Sequence, residues 1–205
     1  MNNIQSNIVN LFPTPVGIYT FPREFTQEEL IFVRDLEKAK NIGNQKSTNY
    51  YVLNEPILAE VKEFLQSCTD EYFDRIYQPK ENIKLRITQS WCNYTEGMEF
   101  HHKHTHPNSF ISGVFYFQTN DETDKIYFFE DSYKQFKIPA REFNNYNSDS
   151  WWLPSVTGQL LLFPSRMTHM VETRLETQYT RMSLSFNTFP VGKLGDDNEL
   201  TELIL

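Results

Sequence analysis

The hydrophobic positions of the chain change their spacing near residue 80. Before that point they recur every three or four residues, which is the spacing of one face of a helix. After it they alternate with polar residues, which is typical of a strand. Helices followed by many strands predict an α+β protein in which the helices cover one face of a sandwich or barrel.

Two helices are predicted after a short strand in the segment 11–21. The first begins at Thr26, which opens a capping box, and ends near Gly43. The second begins near Asn54, carries one continuous apolar stripe, and must end before Pro79, because a residue that precedes proline avoids the helical conformation. Neither helix carries residues that indicate chemistry, so we interpret both as packing elements.

The later part of the chain is predicted to form strands at 83–92, 109–118, 125–130, 158–163, 168–174 and 179–188. Between them the segment 131–157 is long, polar and rich in asparagine, yet it contains the aromatic residues Tyr133, Phe136, Phe143, Tyr146, Trp151 and Trp152. Loops of this length are usually functional or disordered, and the aromatic residues argue against disorder. We expect a loop that covers the substrate; a packed surface insertion or a homodimer contact is the alternative.

Composition narrows the class of protein. The 205 residues fit one domain. There are 19 Lys and Arg against 27 Asp and Glu, and the net charge of −8 argues against a nucleic-acid-binding surface. The sequence shows neither a membrane-spanning apolar run nor a signal peptide, so we expect no membrane partner. Cys68 and Cys92, which lack CxxC spacing, are expected to be buried free thiols of a cytoplasmic protein.

The histidines suggest a metal site. Four of the five lie close together as His101, His102, His104 and His106, and the fifth is His169. Residues i and i+2 of a strand share a face, so His104 and His106 can hold one ion, and His102 and His104 offer the same geometry. We prefer His104 and His106, because Pro107 ends that pair and its spacing to two tyrosines is regular. His101 should point elsewhere if the strand persists. His169 can supply a third imidazole, a ligand that suits iron, zinc, copper and nickel. A polar surface loop is the alternative explanation of such a cluster.

An arginine near the end of the chain favours the metal site. The last predicted strand alternates, with Arg181, Ser183, Ser185 and Asn187 on one face and Met182, Leu184 and Phe186 on the other. A buried arginine needs an anion, and its planar guanidinium group suits a carboxylate. A solvent-facing arginine on an edge strand is the alternative.

Two tyrosines are spaced evenly about the histidines. Tyr94 lies ten residues before His104, and Tyr116 lies ten residues after His106. Phenolic hydroxyl groups supply directed hydrogen bonds inside an apolar pocket. Ordinary core tyrosines are the alternative for either residue alone.

Six strings in a fixed order resemble the 2-oxoglutarate/Fe(II)-dependent oxygenases. They are Trp91-Cys-Asn-Tyr94, His104-Thr-His-Pro107, Ser112-Gly-Val-Phe-Tyr116, Gly158-Gln-Leu-Leu-Leu-Phe-Pro-Ser165, His169-Met-Val and Arg181-Met-Ser-Leu-Ser-Phe-Asn187. The resemblance runs from about Leu11 to Phe189. It is strongest to a small family of marine bacteria and their phages, with prolyl-hydroxylase-like enzymes as more distant relatives.

The resemblance implies a single oxygenase domain with a double-stranded β-helix, or cupin-like jelly-roll, core over 83–189. Residues 1–80 would supply an N-terminal strand and helices packed on one sheet, and 190–205 a C-terminal tail. It implies Fe(II) held by an HxD/E…H triad, in which His104 matches the first histidine and His169 the distal one.

The resemblance also implies a cosubstrate site. Arg181 matches the residue that pairs with the distal carboxylate of 2-oxoglutarate, and Tyr116 matches a tyrosine that shares this carboxylate. Tyr94 matches a tyrosine near the oxo-acid end, and Ser183 fits an added hydrogen bond. Asn93 and Asn187 are candidates to orient the ligands.

One residue departs from the family pattern. The family has Asp or Glu two residues after the first histidine, and this chain has His106. Either three histidines bind the metal, or a carboxylate comes from elsewhere, with Glu99, Glu130 and Asp131 nearest in sequence. A histidine in place of a carboxylate removes one negative charge from the site and leaves the iron a stronger Lewis acid.

The implied function is oxidation of a small-molecule or peptidyl substrate by an enzyme of the cytoplasm, or of the host cytoplasm for a phage protein. Fe(II), 2-oxoglutarate and O2 would serve to hydroxylate a C–H bond, with release of succinate and CO2. One alternative is a cupin-like three-histidine metalloenzyme that uses no 2-oxoglutarate and grips its substrate with Arg181. The other is a non-catalytic jelly-roll binding module.

Overall fold

The computed structural model describes residues 5–80, 82–132, 136–173, 175 and 178–205. Its N-terminal part consists of β1 (Gly17–Thr20), α1 (Gln27–Asp35), β2 (Lys38–Lys40), β3 (Gln45–Ser47) and α2 (Ala59–Tyr77). The remaining strands are β4 (Lys84–Thr95), β5 (His101–His104), β6 (Ile111–Gln118), β7 (Lys125–Phe129), β8 (Ser150–Pro154), β9 (Gln159–Pro164), β10 (His169–Val171), β11 (Arg181–Val191), β12 (Lys193–Leu194) and β13 (Leu203–Ile204). Short 3₁₀ turns at Val52–Asn54 and Pro56–Leu58 lead into α2.

The strands form two antiparallel sheets that face each other, and β12 and β13 form a small separate ribbon. The large sheet has the order β1-β9-β6-β11-β4-β3-β2, and the small sheet has the order β5-β10-β7-β8. From β4 to β11 the chain passes back and forth between the two sheets. This exchange brings residues distant in sequence together, such as His104 of β5 and His169 of β10.

The two faces of the large sheet bury different cores. Its outer face packs against α1 and α2 in a cluster that includes Val33, Leu65, Tyr72 and Phe186. Its inner face meets the small sheet through Val114, Tyr116, Ile126, Phe128, Leu161 and Phe163. The alternation of side chains along the strands therefore sorts each residue into either the helix-covered core or the space between the sheets. The predicted arrangement, with helices covering one sheet, is the arrangement observed.

Both predicted helices form, but their bounds differ. The hydroxyl group of Thr26 accepts a hydrogen bond from Glu29 N at 3.1 Å, and the Glu29 carboxylate accepts one from Thr26 N at 2.8 Å, so the capping box is present. The first helix ends at Asp35 and not near Gly43, because β2 and β3 extend the large sheet with Gly43 in the connecting turn at a φ of +87°. The second ends at Tyr77, before Pro79 as expected.

The strand predictions also differ in places. The segment 131–157 is not wholly a loop, because β8 pairs with β7 along its length. Within the predicted strand 168–174 only His169–Val171 is a strand, and Arg174 lies outside the described residues, as does Tyr133. Both cysteines are buried and free, as predicted. No helix in the described part of the chain is long and apolar enough to cross a membrane.

Gly113 provides a test of packing in the centre of the large sheet. It lies opposite Phe186 in the β6–β11 pair, and a Cβ atom at this position would come within 2.2 Å of the buried Phe186 ring. We expect Gly113→Ala to lower the free energy of unfolding by about 1–3 kcal/mol, measured by urea denaturation, because overpacking forces the ring to move. In Gly113→Ala/Phe186→Leu the total loss should be smaller than the sum of the two single losses. Additive losses would contradict this account.

Candidate metal centre

Three histidines converge at one end of the sandwich. His104 ends β5 and lies opposite His169, the first residue of β10. His106 follows the end of β5, where its backbone N–H donates to Ser165 O at 3.0 Å. The Nε2 atoms of His106 and His169 are 3.3 Å apart, and one ligand atom of each of the three histidines lies within 4.8 Å of the others.

Backbone carbonyl groups fix the orientation of two of these rings. Nδ1 of His104 lies 2.7 Å from His102 O, and Nδ1 of His169 lies 3.0 Å from Met167 O. A carbonyl oxygen only accepts, so Nδ1 carries the proton in both rings and Nε2 keeps a free electron pair. This is the arrangement that metal-binding histidines usually adopt.

The site favours neutral imidazoles. Burial, together with the neighbouring His104, lowers the pKa of His169 to about 3 and that of His106 to about 4. Burial also lowers the pKa of His104. The rings of Phe128 and Phe163 lie beside His169 and keep water from it. Neutral imidazoles are the form that binds a metal ion.

The nitrogen positions fit a divalent transition-metal ion. Two nitrogen atoms that bind one ion at about 2.1 Å, at an angle between about 90° and 110°, are about 3.0–3.4 Å apart. The separation of 3.3 Å between His106 and His169 falls within this range.

Among the described residues, no carboxylate joins the histidine clusters. Glu99 accepts a hydrogen bond from Glu96 N in an exposed turn, and Glu130 accepts one from Ser132 N. Asp131 accepts a hydrogen bond from Thr168 and lies 3.8 Å from the ammonium group of Lys103. The three acidic residues nearest in sequence therefore have other partners, and the third residue of the group with His104 and His169 is His106.

Arg181 lies in the same cavity as the histidines. It begins β11, is 3% exposed, and lines the cavity with Ser183, His104, His106 and His169. Its Nη1 donates to Lys125 O at 3.4 Å. In the part of the chain that the structure describes, no carboxylate forms a salt bridge with Arg181. A buried guanidinium group of this kind is a binding site for an anion.

Two buried hydroxyl groups lie near Arg181. Tyr116 Oη and Ser155 Oγ are both buried and make no hydrogen bond of normal length and angle within the described residues. The Tyr116 ring centroid is 5.3 Å from the Arg181 guanidinium carbon. Burial raises the pKa of Tyr116, and the neighbouring positive charge of Arg181 acts against that rise. A buried phenol beside a guanidinium group is an arrangement of donors that suits the oxygen atoms of a carboxylate.

Tyr94 is not part of this cavity, so its assignment to cosubstrate binding is wrong. It pairs with Met182 across β4 and β11, faces the helix-covered core, and donates a hydrogen bond to Val33 O at 2.6 Å. On the same strand Trp91 and Asn93 point to the opposite face from Tyr94 and line the cavity. Equal spacing from a histidine in sequence did not predict which face of the strand the tyrosine occupies.

His101 also differs from expectation, because it lines the cavity. The pairing of β10 with β5 shifts register, so that the two steps from His169 to Val171 oppose three steps from His104 to His101. A bulge of this kind breaks the alternation and brings residues i and i+3 to one side. Sequence reasoning also missed Trp91, whose ring stacks on His106 with centroids 5.8 Å apart, and Ser155, for which the sequence carries no signal.

The two asparagines proposed to orient ligands lie beside the centre. Asn187 accepts a hydrogen bond from Ser112 at 3.2 Å, and it hydrogen-bonds to His106, which acts against the lowered pKa of that histidine. Asn93 donates to Ser185 Oγ at 3.0 Å, and its own carbonyl oxygen is buried without a partner among the described residues.

Comparison with known proteins supports an oxygenase class for this site. The model of a family described as "Putative 2OG-Fe(II) oxygenase" matches residues 89–187, the segment from β4 to β11. The resemblance inferred from the sequence motifs is thereby confirmed. The cofactors predicted from the sequence, Fe(II) and 2-oxoglutarate, are the two that this family description names. The comparison with curated proteins gives no match.

Solved structures with a similar fold include several oxygenases. HygX from Streptomyces hygroscopicus, in a structure with nickel and 2-oxoglutarate bound, aligns with a TM-score of 0.59 at 9% identity over 86% of this chain and 83% of its own. A prolyl-4-hydroxylase from Pseudomonas putida aligns with a TM-score of 0.55 at 14% identity over 86% of this chain and 92% of its own. At these identities the likeness shows a shared fold.

The lowered pKa values predict how acid affects the metal-free protein. Unfolded histidine protonates near pH 6.5, whereas His106 and His169 resist protonation until about pH 4 and 3, so the unfolded chain binds more protons between these values. Stability should therefore fall as the pH drops below 6.5. Each of the two histidines should contribute about 2 kcal/mol of loss between pH 6.5 and 5.0.

Urea denaturation at pH 7.0 and 5.0 checks this expectation, with His169→Gln as the comparison. The variant should lose about 2 kcal/mol less than the unchanged protein over this interval. His102→Gln is the matched control and should behave like the unchanged protein. Equal losses in all three proteins would contradict a buried neutral His169.

Proposed function

We propose that the protein is a non-haem iron oxygenase that uses 2-oxoglutarate and O2, hydroxylates a C–H bond of its substrate, and releases succinate and CO2. The observation that carries the proposal is that one cavity is lined both by a three-histidine group and by the buried Arg181. The histidines suit an ion that is chelated by the oxo-acid end of 2-oxoglutarate. The arginine suits the distal carboxylate, whose charge must be neutralised.

Each group of the chain has a separate role in this proposal. His104, His106 and His169 hold the iron through their Nε2 atoms, and Asn187 orients His106. Arg181, with Tyr116 and Ser183, binds the distal carboxylate of 2-oxoglutarate. Iron with bound 2-oxoglutarate supplies the chemistry of O2 activation, and the protein positions the reactants and excludes water.

We infer further that β4 to β11 form a double-stranded β-helix within a single domain. Their order, β9-β6-β11-β4 in one sheet and β5-β10-β7-β8 in the other, is that of two interleaved Greek keys. A jelly roll of this kind opens at one end, and the histidines and Arg181 lie on strands or turns that meet there.

The substrate side of the cavity is bordered by Trp91, and the segment 131–157 is proposed to cover it. The segment presents Phe136, Phe143 and Tyr146, each at least 70% exposed, together with the half-exposed Trp151 and Trp152. Exposed aromatic residues in such number suit contact with a substrate, either a small molecule or a peptide.

The absence of a carboxylate from the described histidine clusters favours a second candidate. A cupin-like three-histidine metalloenzyme would bind metal with the same residues, use no 2-oxoglutarate, and hold its own anionic substrate with Arg181. The two candidates differ in whether the metal-loaded protein binds 2-oxoglutarate at all.

Anaerobic absorption spectroscopy separates them. With Fe(II) and 2-oxoglutarate, we expect a weak visible charge-transfer band in the unchanged protein and none in His169→Ala or Arg181→Ala, since one loses the metal and the other the grip on the cosubstrate. Succinate release in air should be lost in the same variants. A folded, iron-loaded protein that gives no band with 2-oxoglutarate would rule out the oxygenase proposal.

The two tyrosines form a matched pair of variants. Tyr116→Phe should weaken the binding of 2-oxoglutarate by about 10- to 150-fold, because it removes a hydrogen bond to a charged group worth about 1.5–3 kcal/mol. Tyr94→Phe should leave this binding unchanged and lower only the free energy of unfolding, since its hydroxyl group bonds to Val33 O. Titration of the absorption band and urea denaturation measure the two effects. Weaker binding in Tyr94→Phe would contradict its position outside the cavity.

A further inference from the structure

A second group of three imidazoles shares His104 with the first, and its other two members, His101 and His102, have no role in the proposed function. His101, His102 and His104 each offer a ring nitrogen, and the three nitrogens lie within 4.8 Å of one another. All three residues are half-buried, whereas His169 is buried. We call these three residues the outer group, and His104, His106 and His169 the inner group.

The outer group is nearly as compact as the inner one. Its ring centroids are 4.7 to 5.3 Å apart, and those of the inner group are 4.4 to 5.1 Å apart. The bulge in β5 produces this arrangement, because it turns His101 to the side of His104, where the two rings stack at 18°. A regular strand would have directed them to opposite faces.

An unpaired nitrogen gives an independent sign of a ligand. Nδ1 of His102 is buried and has no hydrogen-bond partner among the described residues. Most buried polar atoms in proteins have a partner, and one without a protein partner calls for water or an ion. The free electron pair of an imidazole nitrogen can be satisfied by a metal cation.

The two groups share His104, and this sharing makes them exclude each other. Nδ1 of His104 donates to His102 O at 2.7 Å, so Nε2 is the only nitrogen of this ring that is free to bind an ion. One nitrogen atom holds one ion, so an ion in the outer group leaves the inner group without one of its ligands.

We propose that the outer group is a second position for a divalent transition-metal ion, occupied in alternation with the inner group. Its donors are all imidazoles, so it suits late first-row ions such as Zn²⁺ and Ni²⁺. The proposal rests on the proposed function in one respect, since it takes the inner group to be the iron site. An ion passes between the positions by exchanging His101 and His102 for His106 and His169 while it stays bound to His104.

The test is a calorimetric titration with Zn²⁺ in the absence of 2-oxoglutarate, on His102→Ala, His169→Ala and the double variant. His102→Ala keeps the backbone carbonyl that orients His104, so it removes only the outer nitrogen. The unchanged protein and each single variant should bind one Zn²⁺. His102→Ala should weaken Zn²⁺ binding at least about tenfold when it is made in His169→Ala, and far less when it is made in the unchanged protein. The reason is that only His169→Ala depends on the outer group to bind the ion.

Two results would overturn the proposal. One is an equal effect of His102→Ala in both backgrounds, and the other is two Zn²⁺ ions bound to the unchanged protein. If circular dichroism shows that His169→Ala is unfolded, His106→Ala replaces it, because His106 lies outside the strand. The charge-transfer band with Fe(II) and 2-oxoglutarate is read separately, so that its absence counts against the oxygenase and not against the outer group.

Discussion

The organisation of the site depends on β11, the central strand of the seven-stranded large sheet. It pairs with β4 on one edge and with β6 on the other, so its register is fixed from both directions. One face of β11 contributes Met182, Leu184 and Phe186 to the core under the helices, and the other presents Arg181, Ser183 and Ser185 to the cavity. A slip of one residue would exchange these faces and place a guanidinium group in an apolar core.

Sequence patterns predicted what depends on regular geometry. The two faces of β11 follow from strict alternation, and the three histidines follow from the residue types that bind metals. The assignment of Tyr94 failed because its distance in sequence from a histidine does not determine which face of the strand it occupies. Its pairing with Met182 determines that face. The side to which His101 points was predicted wrongly, because a bulge depends on how two distant strands align. The local sequence does not indicate such a bulge. The strand β8 was not predicted, because it lies within a polar segment. It forms through backbone hydrogen bonds to its neighbour β7.

The electrostatic character of the cavity differs from that of the whole molecule. The protein carries a net charge of −8, yet the cavity holds a buried arginine and neutral imidazoles, with no carboxylate in the histidine clusters of the described residues. The cavity therefore has groups that suit a cation and a group that suits an anion. Burial keeps the imidazole of His169 uncharged and able to bind a cation, while the guanidinium group of Arg181 attracts an anion. A dianion that bridges the two ends would balance the charge of a divalent ion.

His106 differs from the other two histidines of the inner group in how its backbone is held. His104 and His169 lie in paired strands, whereas His106 follows the end of β5 and is held by one hydrogen bond to Ser165 O. The backbone of His106 is therefore held outside the strand pairing of the small sheet, while its ring stacks on Trp91. A single nucleotide change converts a histidine codon into an aspartate codon, so the ligand set of the centre can change within an unaltered scaffold. Such a change alters the electron donation to the metal at this one position.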